Sequence, residues 1–301
     1  MEKYNLNYLE QLEAESIHII REAAAEFKNL AMLYSMGKDS SVMLCLARKA
    51  FYPASIPFSL LHIDTGFKFK EMILFREKII KKFKLDLIVY QNKSKESTSF
   101  KPEDAYSEEY IYHKKTKPLL DAIKKYKFDA CLGGARREEE KSRAKERIYS
   151  HRNERGVWDP KNQRPELWNL YNCRLKKGET MRVFPLSNWT ELDVWLYIKK
   201  EKIEVVPLYF AKKRKMVKRN GVLIRLDEFT KPMPKEKVIE KVSRYRTLGC
   251  APSTGAILSH AKNVDDIIEE LIKTKRSERE TRAIDYNKSS SMEDKKRDGY
   301  F

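Results

Sequence analysis

The sequence predicts an α/β fold, a parallel twisted sheet with helices on both faces, followed by a mixed and basic C-terminal region. Between residues 30 and 200, short apolar runs alternate with segments of helical periodicity, which is the pattern of a sheet covered on both sides. Polar motifs that contain glycine follow three of these runs. Open parallel sheets bind ligands beyond the carboxyl ends of their strands, so these motifs predict a binding site at one edge.

An amphipathic helix comes first in the predicted order of elements. Over residues 7–28, Leu12, Ser16, Ile20 and Ala23 recur at steps of three and four residues along one face. Strands and helices then alternate. The predicted strand and helix pairs are 30–34 with 41–51, 58–63 with 69–83, 85–90 with 118–126, 130–132 with a charged segment, and 181–184 with 191–200.

The connecting and C-terminal segments are less regular. Residues 91–117 predict a long loop, and residues 151–180 predict an irregular insertion. Asn220-Gly221 predicts a hairpin turn between two apolar runs, and residues 264–275 predict a last amphipathic helix. We therefore expect an α/β domain over residues 1–206 and a basic region, with the hairpin, helix and tail, over residues 207–301.

Charge and cysteine content narrow the classes of protein. The net charge of the 301-residue chain is +18, and residues 210–250 carry thirteen Lys or Arg against four acids. This surplus suits nucleotides, oxyanions, RNA or an acidic protein, although a solvated basic face explains it equally well. The four cysteines form no C-x-x-C pair, so neither a zinc site nor a disulfide framework is expected. No apolar run has transmembrane length, and we expect a cytoplasmic protein without membrane contact.

The sequence of residues 35–40 predicts a phosphate-binding loop. Gly37 can take a positive φ that turns several N–H groups toward one point, and the helix that starts near Ser40 adds unpaired N–H donors. Lys38 supplies a full charge, and the Ser35 and Ser40 hydroxyls are further donors. A Walker A loop is excluded because its first glycine is absent from the required position. The expected ligand is a nucleotide polyphosphate, and the competing interpretation is an ordinary strand-to-helix turn.

Two further motifs follow predicted strands. Asp64, beside Gly66, could hold Mg²⁺ or a ribose hydroxyl, or it could cap the following helix. Gly133 and Gly134 allow a flat ligand to approach the backbone closely. Part of the segment 136–147 is expected to be a solvated helix. Its first four basic residues can nevertheless grip phosphate or sulfate oxygens; they are Arg136, Arg137, Lys141 and Arg143.

Two reactive side chains receive no catalytic role. We interpret His62, at the end of a predicted strand, as a histidine satisfied by its surroundings and without a part in proton transfer. Cys250 invites a nucleophile interpretation, but no histidine is evident nearby, and a buried structural thiol is the favoured interpretation.

Several motifs together are similar to those of a known family. The loop 34–41, Tyr-Ser-Met-Gly-Lys-Asp-Ser-Ser, resembles the pyrophosphatase-type pattern Ser-Gly-Gly-x-Asp-Ser, with Met36 in place of the first glycine. With residues 62–66, 133–147, 158–168, 184–190 and 247–250, nearly the whole chain resembles the small catalytic subunits of bacterial heterodimeric ATP sulfurylase (sulfate adenylyltransferase subunit 2). These belong to the superfamily of phosphoadenylyl-sulfate reductases and adenine nucleotide α-hydrolases.

The resemblance implies the adenylylation of sulfate by ATP, which gives adenosine 5′-phosphosulfate and pyrophosphate and begins sulfate assimilation. It also implies Mg²⁺ held through the phosphates, with Asp39 or Asp64 as a further ligand, and a heterodimer with a larger GTPase subunit that binds GTP. ATP and pyrophosphate would contact Ser35, Gly37, Lys38, Asp39, Ser40, Asp64, Gly66, Gly133 and Gly134. The catalytic residues would be Lys38, Asp39, Arg136 and Arg137, and sulfate and the α-phosphate would lie near Arg136, Arg137, Lys141 and Arg143.

Three alternatives stay open. A phosphoadenylyl-sulfate reductase resembles this fold but uses a Glu-Cys-Gly motif, which the residues 297–301 lack. A tRNA-modifying adenylating enzyme would explain the positive charge. Such an enzyme usually has paired cysteines or an RNA-binding module, and neither is seen, so nucleic acid is not the expected partner. A nucleotide-binding scaffold without turnover would result if Met36 disables the loop.

Overall fold

The computed structural model describes residues 6–161, 163–219 and 221–273. A six-stranded sheet forms its centre, with strands β1 (Leu30–Leu33), β2 (Ser59–Ile63), β3 (Leu87–Tyr90), β4 (Ala130–Leu132), β5 (Tyr149–Arg152) and β6 (Thr180–Val183). Across the sheet the order is β3-β2-β1-β4-β6-β5, and all neighbours are parallel except β5 and β6. The predicted parallel sheet is confirmed. Strand β5 is an antiparallel edge that enters the segment predicted to be irregular.

Helices cover both faces of this sheet, as predicted. Leu30 and Met32 of β1 pack on one face, in a core shared with the first, second and eighth helices. Ala31, which points to the other face, packs with Ala122 and Ile123 of the sixth helix. The helices are α1 (Tyr8–Glu26), α2 (Lys38–Phe51), α3 (Lys70–Phe83), α4 (Lys95–Ser99), α5 (Glu108–Ile111), α6 (Lys117–Tyr126), α7 (Lys141–Ala144), α8 (Glu191–Lys200) and α9 (Val264–Lys273).

Helix α1 begins at a capping box. Asn7 Oδ1 accepts the N–H of Glu10 at 3.0 Å, and Glu10 Oε2 accepts the N–H of Asn7 at 3.0 Å. On the buried face, Ser16 Oγ donates to Pro185 O at 2.8 Å and accepts the Nε1–H of Trp189 at 2.9 Å. The helix is therefore fixed to the loop after β6 by satisfied polar contacts as well as by apolar packing.

The segment predicted as a long loop is built of short helices. Between β3 and α6 the chain forms α4, a 3₁₀ turn (Pro102–Tyr106), α5 and a π turn (Tyr112–Thr116). Ser94 and Ser107 cap α4 and α5 with their hydroxyl oxygens. The loop prediction is wrong because each of these helices is shorter than the window in which hydrophobic periodicity can be recognised.

A second, antiparallel sheet follows α8. Its strands are β7 (Lys212–Arg219), β8 (Val222–Arg225), β9 (Ile239–Arg244) and β10 (Ile257–Leu258), in the order β10-β9-β7-β8. Arg219 pairs with Val222 across the predicted hairpin turn, where Gly221 has a φ of +81°. Asn220, and the predicted helical residues 274 and 275, lie outside the described residues. The hairpin and the last helix are otherwise confirmed.

The two sheets share a buried core. Leu208, Tyr209, Met216, Tyr245 and Ile267 lie in the same cluster of buried side chains as the residues of α1 and α2. The boundary that the sequence suggests between residues 206 and 207 therefore crosses this core, and the division into two domains stays a prediction. Within the described ranges, no helix combines the length and the apolar character needed to cross a bilayer.

Candidate active site

A cavity of about 310 Å³ opens at the carboxyl edge of β1, β2 and β4. The loops after these three strands meet there, as their place in the sequence predicts. The lining includes Ser35, Asp39 and Ser40 from the first loop, Thr65 and Lys68 from the second, and Gly134, Ala135, Glu139 and Arg143 from the third.

The turn of the loop 35–40 lies at Met36. Met36 has a φ of +62°, whereas Gly37 has a φ of −69° and an extended conformation. The expectation that Gly37 supplies the left-handed conformation is therefore wrong. The Met36 side chain is fully buried in the core, and this packing holds the strained backbone. A Cβ at residue 37 would lie 3.3 Å from Ser35 Oγ, a close contact that the Ser35 side chain would have to relieve.

Hydroxyl groups hold this loop closed. Ser40 Oγ donates to Gly37 O at 3.0 Å and lies 3.3 Å from Ser35 Oγ, which accepts the Gly37 N–H at 3.4 Å. The Tyr209 hydroxyl, from a 3₁₀ turn before β7, accepts the Lys38 N–H at 2.7 Å. Helix α2 begins at Lys38 without a side-chain cap, so the next N–H groups have no acceptor within the helix. Phosphate oxygens are suitable acceptors for them.

Asp39 lies between two cations. Its Oδ1 accepts from Arg136 Nε at 2.9 Å, and its Oδ2 accepts from Lys38 Nζ at 3.1 Å. Both cationic side chains are buried, so their pairing with Asp39 fixes the carboxylate in the cavity wall. Gly134 packs against it, because a Cβ at Gly134 would lie 3.1 Å from Asp39 Cβ. Arg136 thus positions Asp39 and is not itself part of the cavity lining.

Asp64 and two of the glycines shape the neighbouring loops. Asp64 Oδ1 accepts the Gly66 N–H at 2.8 Å, and Gly66 has a φ of +83°. The alternative that Asp64 caps α3 is wrong, because that helix begins only at Lys70. The Gly133 N–H donates to Val183 O at 2.8 Å and so continues the sheet. Asp64, Gly66 and Gly133 do not line the cavity. Their contacts with ATP stay predictions.

The charged segment 136–147 folds into the cavity wall. It forms a 3₁₀ turn (Arg137–Glu139) and the single-turn α7, so the expectation of a solvated helix is wrong. Arg143 is only 6% exposed and lines the cavity. Its Nε and Nη1 donate no hydrogen bond within the described structure, and the nearest carboxylate oxygens lie 3.6 to 4.0 Å away. Arg137 lies outside the cavity lining and donates to Asn188. The Lys141 side chain is not among the described parts.

Sequence reasoning misses two parts of the wall. Lys68 follows β2, and Lys115 lies in the π turn before α6, and both line the cavity. Neither lysine carries a sequence signal, because both lie in segments that are rich in lysine. Residues 248–250 bring the C-terminal region to the same wall. The Thr-Leu-Gly-Cys motif is the sequence signal for this contact.

Cys250 is buried, as predicted, and it lies in the cavity wall. Its Sγ is 3.1 Å from Thr65 Oγ1 and accepts from the Tyr110 hydroxyl at 3.5 Å. Burial acts to raise the pKa of this thiol. Nearby Lys115 and Lys68 and the two hydroxyl contacts outweigh burial and lower the pKa below its ordinary value.

His62 has one satisfied ring nitrogen. Its Nδ1 donates to Tyr34 O at 2.9 Å, whereas its Nε2 has no partner within the described structure. Burial, and then the charge of Lys68, lowers the pKa of His62 to about 4. The ring is therefore neutral at neutral pH and is not a source of protons for chemistry there.

Known proteins are similar to this chain in sequence. Residues 29–256 match the family described as the phosphoadenosine phosphosulfate reductase domain. Proteins named sulfate adenylyltransferase subunit 2 from Aeromonas hydrophila and Psychromonas ingrahamii are each 57% identical to the chain, and each alignment covers 100% of both chains. Among solved structures, a phosphoadenylyl-sulfate reductase from Candida auris has a TM-score of 0.47 at 19% identity, covering 68% of this chain and 91% of that one.

Proposed function

The chain belongs to the phosphoadenosine phosphosulfate reductase domain family and, within it, to the proteins named sulfate adenylyltransferase subunit 2, and on that premise we propose that it transfers the adenylyl group of ATP to sulfate. The products are adenosine 5′-phosphosulfate and pyrophosphate, and the reaction begins sulfate assimilation. The observation that carries this proposal is the cavity whose lining combines Ser35, Asp39 and Ser40 of the loop 35–40 with the buried Arg143.

In this proposal the triphosphate of ATP binds at the loop 35–40. Its oxygens would accept hydrogen bonds from the first-turn N–H groups of α2 and from the Ser35 hydroxyl, and the positive end of the helix dipole favours the same position. The Ser40 hydroxyl would have to turn from Gly37 O to donate as well. A Cβ at Gly134 would lie 3.6 Å from Ser40 N. Glycine at that position therefore leaves this end of α2 accessible to a ligand.

In this proposal sulfate and the α-phosphate bind beside Arg143, Lys68 and Lys115. Arg143 pairs in charge with Glu139, Glu140 and Glu146, but at 3.6 to 4.0 Å these carboxylates are too far from Nε and Nη1 for hydrogen bonds. A bound oxyanion would supply hydrogen bonds of about 1.5 to 3 kcal/mol each to these two donors. A guanidinium can also hold two oxygens of one anion in a fixed geometry. The two lysines line the same cavity and add positive charge to it.

The reaction is a substitution at phosphorus. A sulfate oxygen forms a bond to the α-phosphorus while the bond from that phosphorus to the bridging oxygen breaks, and pyrophosphate leaves with the electron pair. Sulfate is ionised at neutral pH, so its attack requires no general base. The neutral state of His62 is compatible with this. Catalysis then depends on positioning and on neutralising the charge of the transition state.

Mg²⁺ is proposed to enter as part of the substrate, bound to phosphate oxygens. No group of three or more His, Cys, Asp or Glu among the described residues could hold a metal ion by itself. Asp39 lines the cavity beside the loop, so it is the carboxylate best placed to share a phosphate-bound Mg²⁺. Asp64 lies outside the lining and fits that role less well.

We also propose that the partner is a larger GTPase subunit in the cytoplasm. The names of the relatives number them as subunit 2, which implies a second subunit. The loop 35–40 lacks the spacing of a Walker A loop, so GTP hydrolysis of that type would have to come from the partner.

The decisive experiment is ATP-dependent release of pyrophosphate by the complex, with molybdate in place of sulfate. The molybdate adenylate decomposes, so product accumulation cannot hide the reaction. We expect release that requires both ATP and molybdate. Arg143→Met should lower it roughly 100-fold, whereas Arg137→Met, which changes an arginine outside the cavity, should stay near the wild type. A complex that binds ATP without releasing pyrophosphate would contradict the proposed function.

A further inference from the structure

One exposed apolar surface has no part in the cavity. It consists of Leu167, Trp168 and Leu170, with Tyr8 of α1 beside them, and we call it the Trp168 surface. Trp168 is 85% exposed, and the other three side chains are between 54% and 57% exposed. Tyr8 and Asn169 line a shallow groove at its edge. None of these residues lines the cavity of the proposed reaction.

The segment that carries Trp168 is held firmly at both ends. The Glu166 carboxylate accepts the N–H groups of Ile148 and Tyr149 at 2.7 and 2.8 Å. On the other side, Arg164 Nη2 donates to Tyr171 O at 3.1 Å, and the Tyr171 ring stacks on Tyr149 at 4.5 Å. The surface is therefore a fixed feature of the fold, presented by an anchored segment.

The backbone at the tip of this segment is strained. Trp168 has a φ of +52°, and Asn169 has a φ of +58°. A left-handed conformation is rare for a bulky side chain, and strained backbone of this kind concentrates at functional sites. The same residue places a large aromatic side chain in solvent, where it contributes nothing to the core. A function in binding accounts for both features.

The size of the Trp168 surface fits the centre of a protein interface. Four side chains with these exposures present on the order of 500 Å² of mostly apolar area. A standard interface takes about 800 Å² from each partner, with an apolar centre and a polar rim. Tryptophan is also among the residues that most often dominate the binding free energy of such interfaces.

The charge beside this surface favours a different protein over a second copy of the chain. Helix α1 carries five Glu and one Arg between residues 8 and 26, and two of the Glu pair with Lys200 and Lys49, which leaves a local charge of −2 in a chain whose net charge is +18. A symmetric dimer through the Trp168 surface would bring two such acidic helices together. A partner with an apolar pocket and a basic rim would not meet this repulsion.

We infer that the Trp168 surface is the docking site for the partner subunit, which presents an apolar pocket edged by Lys or Arg. This inference rests on the proposed function, because that function supplies the partner. Glu15 lines the same groove as Tyr8 and Asn169, its Oε1 accepts from Asn188 at 2.8 Å, and Asn188 accepts from Arg137. Arg137 directly follows Arg136, which holds Asp39 in the loop.

The test measures the affinity of the full chain for the larger GTPase subunit of the same organism. Trp168→Ser should weaken binding about 30-fold or more, and Leu170→Ser should weaken it less. Leu74→Ser is the matched control, because Leu74 is a 60% exposed leucine on α3. It should bind as the wild type does. All variants should unfold at the wild-type temperature, and saturating partner should restore pyrophosphate release by Trp168→Ser.

A second readout uses Trp168 itself. The other three tryptophans, Trp158, Trp189 and Trp195, are buried. In a chain labelled with fluorotryptophan, one fluorine resonance should shift when the partner binds, and it should be the resonance that Trp168→Phe removes. An unshifted resonance together with unchanged affinity of Trp168→Ser would overturn the inference.

Two other outcomes separate this inference from the proposed function. If the wild-type chain does not bind the GTPase subunit at all, the proposed partner is wrong and the surface loses its occupant, whether or not pyrophosphate is released. If the chain forms a dimer that Trp168→Ser abolishes, while affinity for the GTPase subunit is unchanged, the occupant is a second copy of the chain and the inference is overturned.

Discussion

At the residue scale, a buried methionine sets the shape of the phosphate loop. We predict that Met36→Gly destabilises the protein. Glycine would relieve the positive φ, worth about 1 kcal/mol, but it would remove a fully buried side chain, worth about 2 to 5 kcal/mol. The free energy of unfolding should therefore fall by roughly 2 kcal/mol in denaturant titrations. An unchanged or higher value would mean that strain at residue 36 outweighs the packing of its side chain.

A second residue-scale prediction concerns the ion pairs of Asp39. Asp39→Ala should abolish turnover and lower the free energy of unfolding by about 2 to 3 kcal/mol, because it leaves the buried charges of Arg136 and Lys38 without this carboxylate. Asp39→Asn keeps the shape and should cost less stability. Activity must be measured on the folded fraction, with calorimetry on both variants. Equal stability of Asp39→Ala and the wild type would contradict the positioning role.

The lowered pKa of His62 predicts that the free energy of unfolding falls over a defined range of acidic pH. Well above pH 6.5 the histidine is neutral in both the folded and the unfolded state. As the pH falls from 6.5 toward 4, only the unfolded state binds the proton, so the free energy of unfolding should drop by up to about 3 kcal/mol. His62→Asn can keep the hydrogen bond to Tyr34 and should lose this part of the dependence. Urea titrations at several pH values measure the free energy of unfolding. The same decrease between pH 6.5 and 4 in the wild type and His62→Asn would contradict the assignment to His62.

At the scale of elements, the start of α2 depends on a residue from the C-terminal region. Tyr209→Phe leaves the Lys38 N–H without its acceptor and should lower the free energy of unfolding by about 1 to 2 kcal/mol. Bound phosphate can replace that acceptor, so MgATP should raise the melting temperature more in the variant than in the wild type. Tyr245→Phe is the matched control, because the Tyr245 hydroxyl is buried without a hydrogen bond in the described structure. An equal rise in melting temperature with MgATP in the wild type and Tyr209→Phe would contradict the claim that phosphate replaces the Tyr209 hydroxyl as acceptor.

The elements that escape sequence prediction share one property. Helices α4, α5 and α7 have only four or five residues, so no periodic pattern can form within them. They are stabilised by serine caps or by contacts with distant parts of the chain. In the segment 136–147, Glu-to-Lys spacing suggested an exposed helix, but Arg136 and Arg143 are buried by contacts made elsewhere.

At the scale of the whole molecule, the core predicts a single folding unit. A fragment of residues 1–206 should not fold stably, because it lacks buried residues of the shared cluster such as Leu208, Tyr209 and Ile267. The full chain should unfold in one transition, with circular dichroism and tryptophan fluorescence changing together. A stable fragment, or two separate transitions, would instead support the two-domain division that the sequence suggests.

The sequence by itself determined the succession of strands and helices along the chain and the edge of the sheet at which the loops meet. Apolar periodicity and strand-end motifs are local, so residues close in the chain are enough to establish them. Only the tertiary structure decided which side chains form the cavity wall. Asp39 and Arg136 are 97 residues apart, and Lys38 and Tyr209 are 171 residues apart. Contacts across such separations leave no periodic pattern, because they arise when the sheet brings distant loops together.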